Sequence, residues 1–119
     1  MKNNFIRGRL QAPDSDAVKK FYEKVFTWSL VKENINGRDY LMIEPSEGPG
    51  GEPHGEVEKN RANQWLPFVE VEDVTKTLDA VKANGGTVVE KRTVFGTHGI
   101  CAVFSDPKGA LLGIWQQVD

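Results

Sequence analysis

Residues 64–74 read QWLPFVEVEDV, and the fold turns on how this stretch changes its period at Asp73. Gln64 to Val71 reads as a strand: β-branched and aromatic residues dominate, and a period of two places Leu66, Phe68 and Glu70 on one face and Val69 and Val71 on the other. Asp73 is a helix cap, after which Val74, Leu78 and Val81 recur at helical spacing. Asn84-Gly85-Gly86 stops that helix. Beyond it, Thr87 to Val94, Ile100 to Phe104 and Ala110 to Gln116 supply three strands. Their turns contain Phe95-Gly96-Thr97-His98-Gly99 and Asp106-Pro107-Lys108-Gly109.

Working back toward the N-terminus, the same order is met again. Phe5 to Gln11 (FIRGRLQ) alternates Ile6, Gly8 and Leu10 against Arg7, Arg9 and Gln11, and Pro13-Asp14-Ser15 then breaks the strand and offers a cap. Val18, Phe21, Tyr22 and Val25 form an apolar helical stripe that ends near Phe26. Trp28 to Glu33 and Arg38 to Glu44 read as a hairpin around Asn36-Gly37. The glycine- and proline-rich run Pro45 to Gly55 reads as a mobile loop and a lid, before a short strand at Glu56 to Lys59. Strand, helix, then three strands, twice over, is an internal repeat with an offset of about 58 residues. No flexible linker divides the halves, so the expectation is one α+β domain of two modules, about 1–60 and 61–119.

The bulk numbers bound the function. A chain of 119 residues, 39% hydrophobic and 27% charged, is an ordinary globule. A net charge of −2 gives no electrostatic reason to expect nucleic acid or an anionic membrane as partner. The single cysteine, Cys101, excludes an internal disulfide framework and suits a reducing compartment. MKNNFIRGRLQ places charges where a signal peptide needs an apolar core, so a soluble cytoplasmic protein is expected.

The duplicated order resembles the vicinal oxygen chelate superfamily, the glyoxalase, bleomycin-resistance and extradiol-dioxygenase group. The resemblance is carried by KKFYEKVFTWSL (19–30), PFVEVEDV (67–74), NGGTVVE (84–90) and FSDPKGALLGIWQ (104–116). It implies two βαβββ modules whose curved mixed sheets form a cup, with each helix on the convex side. In metal-using members, His, Glu or Gln ligands project into the cup from the first and last strands of the modules. Carried over, those positions are Arg7, Leu66 and Gly113, with His54, Glu56 or Glu58 at the fourth. Arg has no lone pair to give, and Leu and Gly have no donor atom, so no metal and no other cofactor is expected in the usual place. Thr27 and Ala110 also depart from the family, which commonly has Gly and Asn there; those changes concern turns.

Strand alternation then names the inner lining: Arg7, Arg9, Leu66, Phe68, Glu70, Leu111, Gly113 and Trp115. Apolar walls with a few charges suit a small organic ligand. Trp115 could stack on a planar or cationic ligand, Arg7 or Arg9 could clamp a carboxylate or phosphate, and Gly113 would make room. Each residue also has a plainer reading. The arginines could be solvated edge charges, Glu70 could merely pair with one of them, and Trp28, Trp65 and Trp115 could pack in a core or dimer. His98 reads as a turn residue, His54 as part of the loop, and Cys101 as a buried, inert thiol. The leading expectation is a metal-free small-molecule binding protein, a homodimer as the resemblance implies. The alternative is a lyase, isomerase or dioxygenase-type enzyme, with a displaced metal or none. In that case Glu70 is the candidate base and Arg7 or Arg9 stabilises a developing oxyanion. A third possibility is an interaction domain whose cup is closed by side chains.

Overall fold

Alternation at Leu10 and Ala12 against Arg9 and Gln11 gives strand β1 (Phe5–Ala12) one apolar and one polar face. The computed structural model describes residues 1–44 and 55–118. Two compact units make up the chain: Arg7–Leu66, and Met1–Ile6 with Pro67–Asp119. The N-terminal hexapeptide belongs to the second unit because the Asn4 carbonyl accepts from the Glu70 N–H at 2.8 Å. Gln64 belongs to the first, where its Nε2 donates to Gln11 Oε1 at 2.8 Å. The His54 position and residues 45–54 of the expected lid (Pro45 to Gly55) lie outside the described residues, and Gly55, read as the end of that loop, instead opens a strand.

In the first unit, β1 is followed by α1 (Ser15–Val25), β2 (Ser29–Ile35), β3 (Arg38–Glu44) and β4 (Gly55–Lys59). Strand order is β2-β3-β4-β1, antiparallel except that β4 and β1 run parallel, with Leu10 beside Val57 and Arg9 beside Glu56. Asp14 caps α1 by accepting from the Ala17 N–H at 3.0 Å. The hairpin turn needs positive φ twice, and Asn36 (55°) with Gly37 (84°) supplies it. Leu10, Ala12, Leu30, Ile43 and Val57 form the core, with Val18, Tyr22 and Trp28 packed on it. Each fully buried aliphatic there contributes about 1.5–3 kcal/mol.

The second half of the chain repeats the plan with β5 (Gln64–Glu70, of which Pro67 onward belongs to the second unit), α2 (Val74–Ala83), β6 (Thr87–Phe95), β7 (Gly99–Ser105) and β8 (Leu111–Gln117). Its order is β5-β8-β7-β6, and β5 runs parallel to β8. Asp73 caps α2 through the Lys76 N–H at 3.0 Å, and Gly85 at φ 89° turns the chain out of the helix. Val71, Val74, Leu78, Ile100, Ala102 and Ile114 close the core, with Val69 against it. The face assignment from the alternation therefore holds for Val69 and Val71.

One expectation needs correcting. The α1 stripe is not a core stripe throughout: α1 has no fully buried residue, and Phe21 and Val25 are exposed. Of the stripe, Val18 and Tyr22 pack against the core, whereas Phe21 and Val25 remain exposed. Among the described residues, no helix is long and apolar enough to cross a membrane.

Candidate functional site

The helix-free face of the first unit carries a row of charges. Period two sends Arg7, Arg9 and Gln11 of β1 to that face, and the parallel register sets Arg9 beside Glu56 and Gln11 beside Glu58. Tyr40 of β3 pairs with Glu58 from the other side. Glu56 is 0% exposed and Glu58 2%. A buried carboxylate is tolerated only with charged or hydrogen-bonding partners, and Glu56 has both. Arg7 donates Nε (3.0 Å) and Nη2 (2.7 Å) to Oε1, while Arg9 donates Nε to Oε2 at 2.6 Å.

Glu58 is held more loosely. Gln11 Nε2 donates to it at 3.4 Å and Asn60 Nδ2 at 3.2 Å, with Arg9 Nη1 and Arg38 Nη1 at 3.9 and 3.8 Å. Arg38 also lies over the Tyr40 ring at 5.9 Å. Burial raises the Tyr40 hydroxyl above the usual phenol range, and the Arg9 guanidinium opposes the rise. The result is a hydrogen-bonded ion network that orients both arginines by protein carboxylate.

Two expectations change here. Arg7 and Arg9 are not solvated edge charges, since their side chains are 8% and 3% exposed. Their hydrogen-bonded carboxylate partner is Glu56 rather than the Glu70 expected. Among the described residues, the Glu70 carboxylate makes no hydrogen bond or ion pair, although its main chain is fixed by Asn3 Nδ2 and by Asn4.

On the helix-free face of the second unit, β5 and β8 run side by side with Phe68 beside Gly113 and Glu70 beside Trp115. Gly113 was expected to open space for a guest, but a Cβ there would lie 2.5 Å from two ring carbons of Phe68. The room left by the missing side chain is filled by that ring. Trp115 is buried, its ring T-shaped to Phe95 at 5.8 Å, and its Nε1 donates to Gln117 Oε1 at 3.1 Å. Its aromatic face serves the core rather than a stacked ligand. Leu66 and Phe68 are also buried, whereas Leu111 is exposed. Cys101 is buried. His98 sits in the β6–β7 turn, its N–H bound to the Phe95 carbonyl at 3.0 Å.

The metal that the resemblance implies does not fit the side chains at these positions. Both oxygens of Glu56 are engaged by guanidinium groups, and Arg7, Leu66 and Gly113 offer no electron pair. Firm binding of zinc or its neighbours takes three or more protein ligands. Among the described residues, no group of three or more His, Cys, Asp or Glu side chains is placed to hold an ion.

The reading of residue types missed the pairing of Arg7 and Arg9 with Glu56, and with it Gln11, Gln64, Tyr40 and Arg38. The signal was present. Arg7-x-Arg9-x-Gln11 and Glu56-x-Glu58 are period-two rows of complementary charge, as expected of neighbouring strands facing one side.

Comparison with known proteins agrees with this architecture. The family model described as Glyoxalase/Bleomycin resistance protein/Dioxygenase superfamily matches residues 5–114. A Mycobacterium bovis protein named "Putative glyoxylase CFP32" is 30% identical over 119 residues, covering 90% of this chain and 43% of that protein. The chain thus spans under half the length of the curated relatives it matches. Among solved structures, a variant of Streptomyces coelicolor methylmalonyl-CoA epimerase in complex with 2-nitronate-propionyl-CoA superposes with a TM-score of 0.71. It has 12% identity, and the match covers 99% of this chain and 100% of that one. The Mn(II)-bound glyoxalase from Novosphingobium aromaticivorans gives a TM-score of 0.61 at 20% identity, covering 98% of this chain and 41% of that one. The fold is theirs, and the chain belongs to the Glyoxalase/Bleomycin resistance protein/Dioxygenase superfamily.

Proposed function

We propose that this chain binds a compact organic molecule without a catalytic metal, as a sequestering or carrying member of its superfamily. One observation carries the reading: Glu56, on the helix-free face of the first unit, has both oxygens taken by Arg7 and Arg9. A guanidinium occupies the cation's role there, and the arginines are spoken for by protein charge. The ligand therefore need not be anionic. Its contacts come from Leu111 and the Glu70 carboxylate of the second unit, with the buried Phe68 ring and the packed Trp115 as rigid support.

The test is a thermal-shift screen of small uncharged and aromatic compounds on chelator-treated protein. A compound that binds only the folded state raises the melting temperature by mass action. Leu111→Arg, at an exposed position, is expected to abolish the shift while leaving the unliganded melting temperature unchanged. A library that gives no shift without added metal, but shifts with it, contradicts the proposal.

A second reading rests on Glu70, whose carboxylate has no hydrogen bond or ion pair among the described residues and could act as a general base in a lyase or isomerase. It requires turnover that Glu70→Gln abolishes without changing the fold.

A further inference from the structure

A second cleft belongs to the first unit, on the opposite face of its sheet from the Arg7–Glu56–Arg9 network. Lys32 stands opposite Leu41, and Leu41 opposite Val57, so all three share the face on which Leu10 and Val57 build the core. Beside the first turn of α1 that face opens into a cleft of about 270 Å³, with Leu41 and Val57 as its apolar lining. Drug-sized ligands take pockets of about 300–1,000 Å³, so this one suits a smaller molecule.

The repeat supplies its own control for the polar groups of this cleft. Aligning the helix caps Asp14 and Asp73 sets Ser15 opposite Val74 and Arg9 opposite Phe68. The strand partners of Arg9 and Phe68, which are Glu56 and Gly113, then set Lys59 opposite Gln116. In the second unit Gln116 Oε1 accepts from the Val74 N–H at 2.9 Å, so a protein oxygen satisfies the start of α2. The first unit has Lys59 at that strand position, and an ammonium can only donate. Among the described residues, neither the Lys59 ammonium nor the Ser15 N–H has a hydrogen bond or ion pair. Two residues with unused donors thus line the cleft where the counterpart holds an acceptor. The other charges divide unequally. Asp39 accepts from Asn34 Nδ2 at 3.1 Å and pairs with Lys32 Nζ at 3.5 Å. Asp16 also lines the cleft, and its carboxylate has no partner among the described residues. One cation and one anion are left over.

We propose that this cleft binds a small aliphatic zwitterion of the α-amino acid class. Its carboxylate takes the role that the Gln116 oxygen plays in the second unit, accepting from the Ser15 N–H and from Lys59 Nζ. Its ammonium meets Asp16, and its side chain lies against Leu41 and Val57. A bare anion would face the uncompensated Asp16 carboxylate, and a bare cation the Lys59 ammonium, so each is disfavoured against a molecule that carries both charges. The site is separate from the helix-free face on which the proposed function rests, and neither reading depends on the other.

The experiment follows the backbone amides of the isotope-labelled chain by NMR while L-leucine is added to about 10 mM, a range that reports millimolar dissociation constants. Isocaproate, which lacks the amine, isoamylamine, which lacks the carboxylate, and inorganic phosphate are titrated in parallel. Leucine is expected to shift the Ser15 and Asp16 amides saturably. Each of the other probes should bind about tenfold more weakly, the worth of one charge-assisted hydrogen bond. Lys59→Gln, at an exposed position, copies the second unit's arrangement and lets the protein fill the acceptor place itself. It should move the Ser15 amide without ligand and raise the leucine dissociation constant by about tenfold or more. Asp16→Asn, also exposed, should leave leucine binding no tighter than isocaproate. Absence of a saturable shift at these amides, or leucine binding unchanged in Lys59→Gln, overturns the proposal. Phosphate or isocaproate binding the wild type as tightly as leucine overturns it too, because Asp16 would then take no part.

Discussion

Glu56 concentrates the chemistry of the first unit into two oxygen atoms. A fully buried carboxylate bridging two guanidiniums is costly to break from one side, because what remains is uncompensated buried charge. Glu56→Gln is expected to lower the unfolding free energy by about 3 kcal/mol or more, measured by urea denaturation. Arg38→Met removes a partner of Glu58 that is 59% exposed and should cost about 1 kcal/mol or less. If the two substitutions cost the same, the network is effectively solvated. Gly113 offers a second residue-level test. Gly113→Ala drives a methyl group into the Phe68 ring and should destabilise by about 1–3 kcal/mol. Phe68→Leu in the same chain should recover part of that loss. A neutral Gly113→Ala would mean open space above β8 and would return the glycine to the role expected of it from sequence. Residue types alone left that choice open: an absent side chain can serve a guest or a neighbouring ring, and alternation does not say which.

The elements were the most legible level. Cap, stripe and stop at Asp73, Val74–Leu78 and Gly85 delimit α2, and the Asn36-Gly37 pair marks the two-residue hairpin turn between β2 and β3. The α1 stripe was legible as a helix and misleading as a core, since periodicity reports a face and not what covers it. What ties α1 down is partly polar. Glu23 accepts from Lys19 Nζ at 2.7 Å and from the Leu30 N–H at 2.8 Å, which links the helix to β2. The Lys19 hydrogen bond first, and the Leu30 N–H second, hold the Glu23 carboxyl below the usual glutamate range. A lowered carboxylate contributes stability that is fully present above its unfolded value and is lost as pH falls through its folded one. Glu23→Gln is therefore expected to flatten the acid side of the melting-temperature profile, below the usual glutamate range, and to leave the slope near neutrality unchanged. Parallel profiles for the two proteins throughout the acid limb would show that the contact carries no linkage.

At the scale of the molecule, the duplicated βαβββ order was readable because two independent runs of caps, stripes and turns agreed in sequence, and the family match over residues 5–114 bears it out. The site was readable only as a set of positions. That Arg7 and Arg9 would be consumed by Glu56 depends on the parallel register of β1 with β4, a pairing between strands separated by a helix and a hairpin. No local pattern specifies such a register. The central claim is that protein cations have replaced a metal ion at these positions, and elemental analysis tests it most directly. The purified chain is equilibrated with Mn²⁺, Ni²⁺ and Zn²⁺ in turn, dialysed, and measured for retained metal alongside its melting temperature. The account expects far less than one ion per chain and a melting temperature that neither metal nor chelator moves. Retention of about one ion per chain, with a melting temperature that rises on binding and falls with chelator, would contradict it.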